Sequence, residues 1–349
     1  MSQSLTFTEA INSALHTVMA HDENVIFYGL GATDPKRIFG TTNGLLETFG
    51  SSRVFDMPTA ENGMTGIAVG AAIGGLRPVM VHQRLDFFLL ALDQLINSAA
   101  KWHFMFGGQT PVPITIRLIT GRGWGQGPTH SQNLQALFAH IPGLKVVMPT
   151  TPEDAKGMLI DSILDDDPVI FLEHRWLHNQ KGLVPDGLYR KPIGHAECLK
   201  YGSDLTIISL SYMTIEAIRA IPRIESAGVS VEHIDLKCVN PIDWPTIFTS
   251  IKKTGRVMVL DTGAQTGSVA SEVIARISTE LFGQLKSAPK RIALPDIPTP
   301  TSFGLTKNFY PGAKEIVETA GRMFQTTFNS EFESLRPHDV PGDWFKGPF

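Results

Sequence analysis

Glu61 is the first residue to weigh for chemistry. It is the only carboxylate between Met57 and Arg77, and the residues after it are almost all small or apolar. Spacing alone is met by a carboxylate at a helix start, complementing the dipole and a free N–H. A general acid or base is the other reading of the same position. His130 follows a loop with glycine at 121, 123, 125 and 127. That loop lacks the Lys-Ser/Thr ending of a phosphate loop. It reads as a mobile connection bringing Trp124 and His130 to the surface of a cleft. Gly29-Leu-Gly31 opens like a dinucleotide fingerprint, but Ala32-Thr-Asp-Pro follows without the third glycine. No HExxH arrangement exists, so zinc catalysis is not expected. His82, His103 and His140 have no supporting neighbours.

These residues need elements to position them. Pro58 and Thr59 end a short strand at Arg53–Phe55, and a helix is expected over 62–73 with Glu61 at its mouth. Gly66, Gly70 and Gly74 recur every fourth residue and form a smooth strip on that helix. Each Gly costs roughly 1 kcal/mol relative to Ala, so close approach of another backbone or ligand is expected there. The run is too short and too charged at its ends to span a bilayer. An amphipathic helix over 8–20, strands over 24–28, 78–82 and 113–120, and a long helix over 87–106 complete a first unit. After a loop at 181–189, strands over 204–210, 229–236 and 256–260 alternate with helices over 214–227 and 269–281. Alternating strands and helices imply parallel sheets with helices on both faces, and ligands beyond the strands' carboxyl ends. We expect an α/β protein with domains at 1–189 and 190–327, and a polar, Pro/Gly-rich tail at 328–349. No internal sequence repeat is present.

Composition narrows the class. Length fits two domains, and 42% hydrophobic with 18% charged residues marks an ordinary globular chain. The net charge of −4, with no basic run among aromatics, argues against nucleic acid. Cys198 and Cys238 stand far apart outside any CxxC pattern, which suits reduced thiols and a cytoplasmic setting. No basic stretch followed by an apolar core opens the chain, so no signal peptide and no membrane partner are expected.

Asp56-Met-Pro-Thr-Ala-Glu61, Gly63, Gly66-Ile-Ala-Val-Gly-Ala-Ala72 and Gly75-Leu-Arg-Pro78 carry a family resemblance. It continues through Ala91–Lys101, Gly107-Gly108, Pro111–Ile114, His130-Ser-Gln132, Pro142–Val147 and Glu153–Gly157. In these blocks the chain resembles the β subunit of the thiamine-diphosphate-dependent decarboxylating component of 2-oxo acid dehydrogenases, of the pyruvate, branched-chain or acetoin type. The match covers roughly residues 5–320 and implies a transketolase-like pyrimidine-binding domain followed by a transketolase C-terminal-like domain used in assembly.

The resemblance implies roles residue by residue. Glu61 would hydrogen-bond the pyrimidine N1′ of thiamine diphosphate and promote proton removal from the thiazolium C2. Gln83 would lie near the pyrimidine, and Phe87 would stack on it, unless Phe87 is a core residue at a helix start. Asp86 completes that bacterial pattern. Arg84 stands where the family has an apolar or hydroxyl residue, and is either a solvated charge or one facing an anionic substrate. His130 matches the channel histidine that moves protons to an intermediate. Leu30 and Gly31 replace acidic residues, one of which approaches the pyrimidine in the family. A structural monovalent cation, K+, would use Ile114, Ser162, Ile163, Asp165 and Asp167, unless Asp165-Asp-Asp-Pro168 is a solvated acidic turn. The chain contains no Gly-Asp-Gly motif for the magnesium-held diphosphate. The implied enzyme is therefore active only with an α subunit carrying that motif, two of each subunit together, passing the acyl group of a 2-oxo acid to a lipoyl acyltransferase. A split transketolase-like enzyme and a non-catalytic assembly subunit remain the alternatives.

Overall fold

The structure, a computed structural model, describes residues 2–122 and 125–332. The expected cleft position of Trp124 and the tail beyond residue 332 lie outside the described residues. The strands are β1 (Ser2–Thr6), β2 (Val25–Gly29), β3 (Val54–Asp56), β4 (Arg77–His82), β5 (Thr115–Thr120), β6 (Lys145–Val147), β7 (Val169–His174), β8 (Lys181–Pro185), β9 (Glu197–Lys200), β10 (Leu205–Ser209), β11 (Val231–Asp235), β12 (Cys238–Asn240), β13 (Val257–Ala264) and β14 (Lys290–Leu294). The helices are α1 (Phe7–His21), α2 (Leu45–Phe49), α3 (Glu61–Ile73), α4 (Leu85–Phe88), α5 (Ala100–Met105), α6 (Gln135–Ala139), α7 (Pro152–Ile163), α8 (Tyr212–Glu225), α9 (Trp244–Thr254), α10 (Val269–Glu280), α11 (Phe303–Thr306) and α12 (Ala313–Met323). Among the described residues two compact units form, one from residues 2–121 and 137–193, the other from 122, 125–136 and 194–332.

In the first unit the strands run β6-β7-β5-β4-β2-β3, all parallel. Every residue of β5 and β7 is buried, as expected for strands covered on both faces. Gly29 ends β2 because a Cβ there would sit 2.4 Å from Val81 on β4. Helix α1 starts with a capping box in which Thr6 and Glu9 satisfy each other's backbone donors. Its Ala10, Ile11, Ala14 and Val18 are buried, the face expected from the sequence.

Two expectations change. The expected loop at 181–189 contains β8, which pairs antiparallel with β1 from Ser2↔Pro185 to Thr6↔Lys181. Each strand is too short to signal alone; pairing supplies the backbone partners that make it one. The expected single helix over 87–106 is instead α4, a 3₁₀ turn at Leu89–Ala91, a π turn at Gln94–Ala99, and α5. The helical path continues, but its hydrogen-bond register changes, which apolar periodicity does not report.

The second unit has the strand order β14-β13-β10-β11-β9, with β9 antiparallel and the other pairs parallel. Its core joins Leu205 and Ile207 of β10 to Ala217, Ala220 and Ile224 of α8 and Ile316, Val317 and Ala320 of α12. No helix among the described residues is long and apolar enough to cross a membrane.

Candidate functional site

Glu61 is the first residue of α3, and Ala60 before it makes no side-chain cap. Glu61 is 7% exposed, yet no donor among the described residues reaches its carboxylate. Its backbone carbonyl accepts from Thr65 Oγ1 at 2.8 Å, so only the side chain is left over. A hydrogen-bonded cap is thus not what Glu61 provides. A buried carboxylate without a donor costs free energy unless something else pairs with it. The walls beside it are ordered: Tyr28 donates to the Met64 carbonyl at 3.1 Å and stacks on Phe55 at 5.1 Å. The glycine strip of α3 is open only in part: a Cβ at Gly66 would meet Gln94 Oε1 at 3.3 Å and one at Gly74 the Ala71 carbonyl at 3.3 Å. Cβ atoms at Gly63 and Gly70 would meet nothing within 4 Å, and Ile67 beside them is 61% exposed.

Gln83 and Phe87 follow β4 at the carboxyl end of the same sheet. Gln83 Nε2 donates to the Leu30 carbonyl at 3.1 Å. Gly31 has φ +77°, and a Cβ there would lie 2.6 Å from Gln83 Nε2 and 2.7 Å from Asp34 Oδ2. An acidic side chain at position 31 would strain the positive-φ backbone and displace Gln83 and Asp34, which fill that space. Phe88 is fully buried and packs edge-on against His82 at 5.0 Å, while Phe87 is half-buried. The core role belongs to Phe88. Burial pulls His82 down to about 4, so it is a neutral core histidine at pH 7.

Arg84 is not a solvated charge. It is 4% exposed, with its guanidinium carbon 5.6 Å from the Phe39 ring centroid. Arg175, just after β7, stands 4.2 Å over the same ring. Phe39 sits in a run of left-handed residues, Arg37 at φ 49°, Ile38 at 47° and Phe39 at 58°. Each costs roughly 1–2 kcal/mol. Sequence reading missed Phe39 and Arg175; only the glycines at 40 and 44 hinted at an unusual turn.

His130 belongs to the second unit, whereas Glu61, Gln83 and Phe87 belong to the first. It ends a 3₁₀ turn at Gly127–Thr129, and its Nδ1 lies 3.0 Å from Thr129 Oγ1. Gly127 has φ +65°, and a Cβ there would meet Thr301 Oγ1 at 2.4 Å, so the turn before His130 is sterically fixed.

The Asp165–Asp167 turn is a paired structure rather than a solvated one. Lys145 Nζ lies 2.7 Å from Asp165 and 3.1 Å from Asp167, and His103 Nδ1 is 2.7 Å from Asp167. Arg77 donates to the carbonyls of Ile163 at 3.2 Å and Asp165 at 2.8 Å. Ser162 O accepts from Thr115 Oγ1, and Ile114 O from Val169 N. The Ile114 and Ile163 carbonyls thus each keep a lone pair, whereas Ser162 O also accepts from Asp165 N at 3.4 Å. Deeper in the unit, Arg117 and Glu173 form a fully buried bidentate pair at 2.6 and 3.0 Å, with His178 at 3.6 Å. No three His, Cys, Asp or Glu side chains among the described residues gather as a metal-binding group.

Comparison with known proteins fits this picture. Residues 3–180 match the transketolase pyrimidine binding domain, and residues 194–316 the transketolase C-terminal domain. The chain is similar to the acetoin:2,6-dichlorophenolindophenol oxidoreductase subunit beta of Cupriavidus necator, 37% identical over 330 residues, 92% of this chain and 97% of that protein. It is similar to the pyruvate dehydrogenase E1 component subunit beta of Staphylococcus epidermidis, 39% identical over 318 residues, 90% of this chain and 97% of that protein. Among solved structures, an inactive beta4 tetramer of a split-gene transketolase shares the fold, with TM-score 0.75 at 19% identity over 93% of this chain and 99% of that one.

Proposed function

The chain belongs to the β-subunit family of thiamine-diphosphate-dependent 2-oxo acid dehydrogenases, and we propose that it supplies the pyrimidine-side half of such an active site. The observation that carries this reading is Glu61, a residue 7% exposed whose carboxylate meets no donor among the described residues. A ring nitrogen of the cofactor is the partner that position suits, and it offers a reason for keeping an acid there at a cost in stability. Thiamine diphosphate, when bound, supplies the nucleophilic carbon and the electron sink for decarboxylation. Glu61 holds or moves the proton at the pyrimidine nitrogen. Gln83 offers a carboxamide and Phe87 a ring face to the same group, and apolar α3 keeps water away from the carboxylate. His130 serves proton transfer on the substrate side.

The diphosphate and its magnesium call for a second subunit, because no Gly-Asp-Gly segment is present. An α subunit carrying that motif, a two-plus-two assembly and acyl transfer to a lipoyl acyltransferase complete the proposed system. The carbonyls of Ile114, Ser162 and Ile163, with Asp165 and Asp167, make an all-oxygen set suited to a hard monovalent cation, K+. Arg77 works against occupancy by placing its own charge there; a melting midpoint that is the same in potassium and choline chloride would rule the cation out.

The function is tested by reconstituting the chain with its α partner and following dye reduction across a panel of 2-oxo acids. Thiamine-dependent oxidation of at least one 2-oxo acid is expected. Turnover only of ketose phosphates, or none with thiamine diphosphate demonstrably bound, would overturn it.

A further inference from the structure

Residues 122 and 125–136 lie in sequence between β5 and β6 of the first unit, yet they pack with the second. His130 therefore belongs with the second unit, and contacts along its segment hold it there. At the start, Arg122 stands 4.2 Å over the Tyr310 ring and 5.8 Å over the Tyr212 ring. Near the middle, Gly127 approaches Thr301 so closely that a Cβ would lie 2.4 Å from its Oγ1. At the end, Gln135 Nε2 donates to Asp261 Oδ1 at 2.5 Å and to Thr262 Oγ1 at 3.1 Å, both on β13. Gln135 is 1% exposed and Asp261 fully buried, so this bond lies out of water. The segment also presses on the β13 backbone: a Cβ at Gly263 would sit 2.9 Å from Gln135 Nε2 and 3.3 Å from the Asn133 carbonyl oxygen.

We propose that Gln135 and Asp261 are positioning residues for His130, pinning the segment that carries it to β13 of the second unit. An amide donating to a buried carboxylate makes a charge-assisted bond, stronger than a neutral one and sheltered from competing water. Asp261 is itself fixed, because Oδ1 also accepts from Gly263 N at 2.9 Å and Oδ2 from Ala270 N at 2.9 Å. Ala270 lies in the first turn of α10, so the carboxylate is tied to both a strand and a helix. The pair thus sets the place of Gln135 rather than following it. His130 stands between two fixed points, Gly127 before it and Gln135 after it, and its own Nδ1 lies 3.0 Å from Thr129 Oγ1. A proton-transfer group needs that restraint, since displacement by about 1 Å can cost a factor of roughly 100 in rate. The second unit, expected from the sequence to serve assembly, thereby gains a part in the chemistry. That part rests on the proton-transfer role proposed above for His130; the pinning itself does not.

Amide hydrogen exchange in the reconstituted complex reads the pinning. Gln135→Leu should raise exchange over residues 125–136 while α1 and β5 keep wild-type protection, which also shows that the variant is folded. Unchanged exchange over 125–136 overturns the pinning whatever the kinetics. Turnover reads the consequence. Gln135→Leu should lower kcat about 10- to 100-fold, with thiamine diphosphate half-saturation and C2–H exchange as in wild type. Combined with His130→Ala, it should add about 2-fold at most, because a residue acting through His130 then has nothing left to position. Losses that multiply in the double variant mark a general structural effect and overturn the positioning role. A swap supplies the second arm. Gln135→Glu sets two carboxyl groups against each other and should slow turnover as Gln135→Leu does. Adding Asp261→Asn puts a donor opposite an acceptor again and should recover most of the rate. A swapped complex as slow as Gln135→Glu alone refutes the pair. If His130→Ala turns over at the wild-type rate, the proton-transfer reading fails and takes the positioning role with it. A slowed His130→Ala beside a full-rate Gln135→Leu refutes the positioning role and spares that reading.

Discussion

Glu173→Gln should be the most damaging conservative change in the first unit. Glu173 and Arg117 are both fully buried, and their two hydrogen bonds at 2.6 and 3.0 Å tie β7 to β5. Burial alone would raise the Glu173 pKa, but the field and hydrogen bonds of Arg117, with His178 close by, outweigh it and hold the acid ionised. Gln keeps the shape and removes the charge, leaving the Arg117 guanidinium buried without compensation. Breaking one half of such a pair costs about 3–5 kcal/mol, a large share of the roughly 5–15 kcal/mol of a typical domain. At roughly 2–4 °C per kcal/mol, the melting midpoint should fall by roughly 6–20 °C. Replacing both partners, Arg117→Met with Glu173→Met, should recover most of the loss, because no orphan charge remains. Calorimetric scans of wild type, single and double variants decide this. A Glu173→Gln midpoint within about 2 °C of wild type would show that the pair is not desolvated and refute the reasoning. Because the folded pKa of Glu173 lies below its unfolded value, the pair's contribution is complete above pH 4.5 and declines as pH falls through the lower folded value.

Burial brings His82 and His233 to about 4 from 6.5, so the unfolded chain binds protons first and stability should fall as pH drops from 6.5 toward 4. The slope reaches about 1.4 kcal/mol per pH unit for each, and urea midpoints that do not change between pH 7 and 5 would contradict it. Gly70→Leu places a side chain at an open position of α3, and at roughly 1–3 kcal/mol of overpacking should weaken assembly with partner subunits. An unchanged native mass with full activity would count against a close contact there. His130→Ala should leave cofactor binding intact and slow turnover, above all steps that involve the acceptor; wild-type rates with both substrates would remove the proposed role.

Much of the fold was legible because its signals are local. Buried strands such as Ile116–Ile119 read as apolar runs, and the apolar face of α1 reads from Ala10, Ile11, Ala14 and Val18. Glu61 stood out as a lone acid ahead of a helix of small residues. Sequence left open whether it was a cap or an acid; the structure shows no hydrogen-bonded cap, and the acid role is the one proposed. Less was legible where the cause is non-local. Strand β8 exists through its pairing with β1, and the π turn at Gln94–Ala99 changes hydrogen bonding without changing the apolar pattern. Arg84 is an ordinary surface residue on paper. Its burial depends on Phe39 in a left-handed turn and on Arg175, about 90 residues later, and no periodicity links the three.

The central claim is that Glu61 is the carboxylate working on the cofactor, and its most direct test is proton exchange at the cofactor's C2 in the reconstituted complex. Glu61→Gln should leave folding and assembly intact, since no group among the described residues pairs with the charge it removes. Exchange should slow by roughly 10²–10⁴-fold, the usual worth of a positioned acid or base and equivalent to roughly 3–5 kcal/mol of barrier. Wild-type exchange in a folded, assembled, cofactor-loaded Glu61→Gln complex would contradict the account and leave Glu61 a residue of the helix start alone.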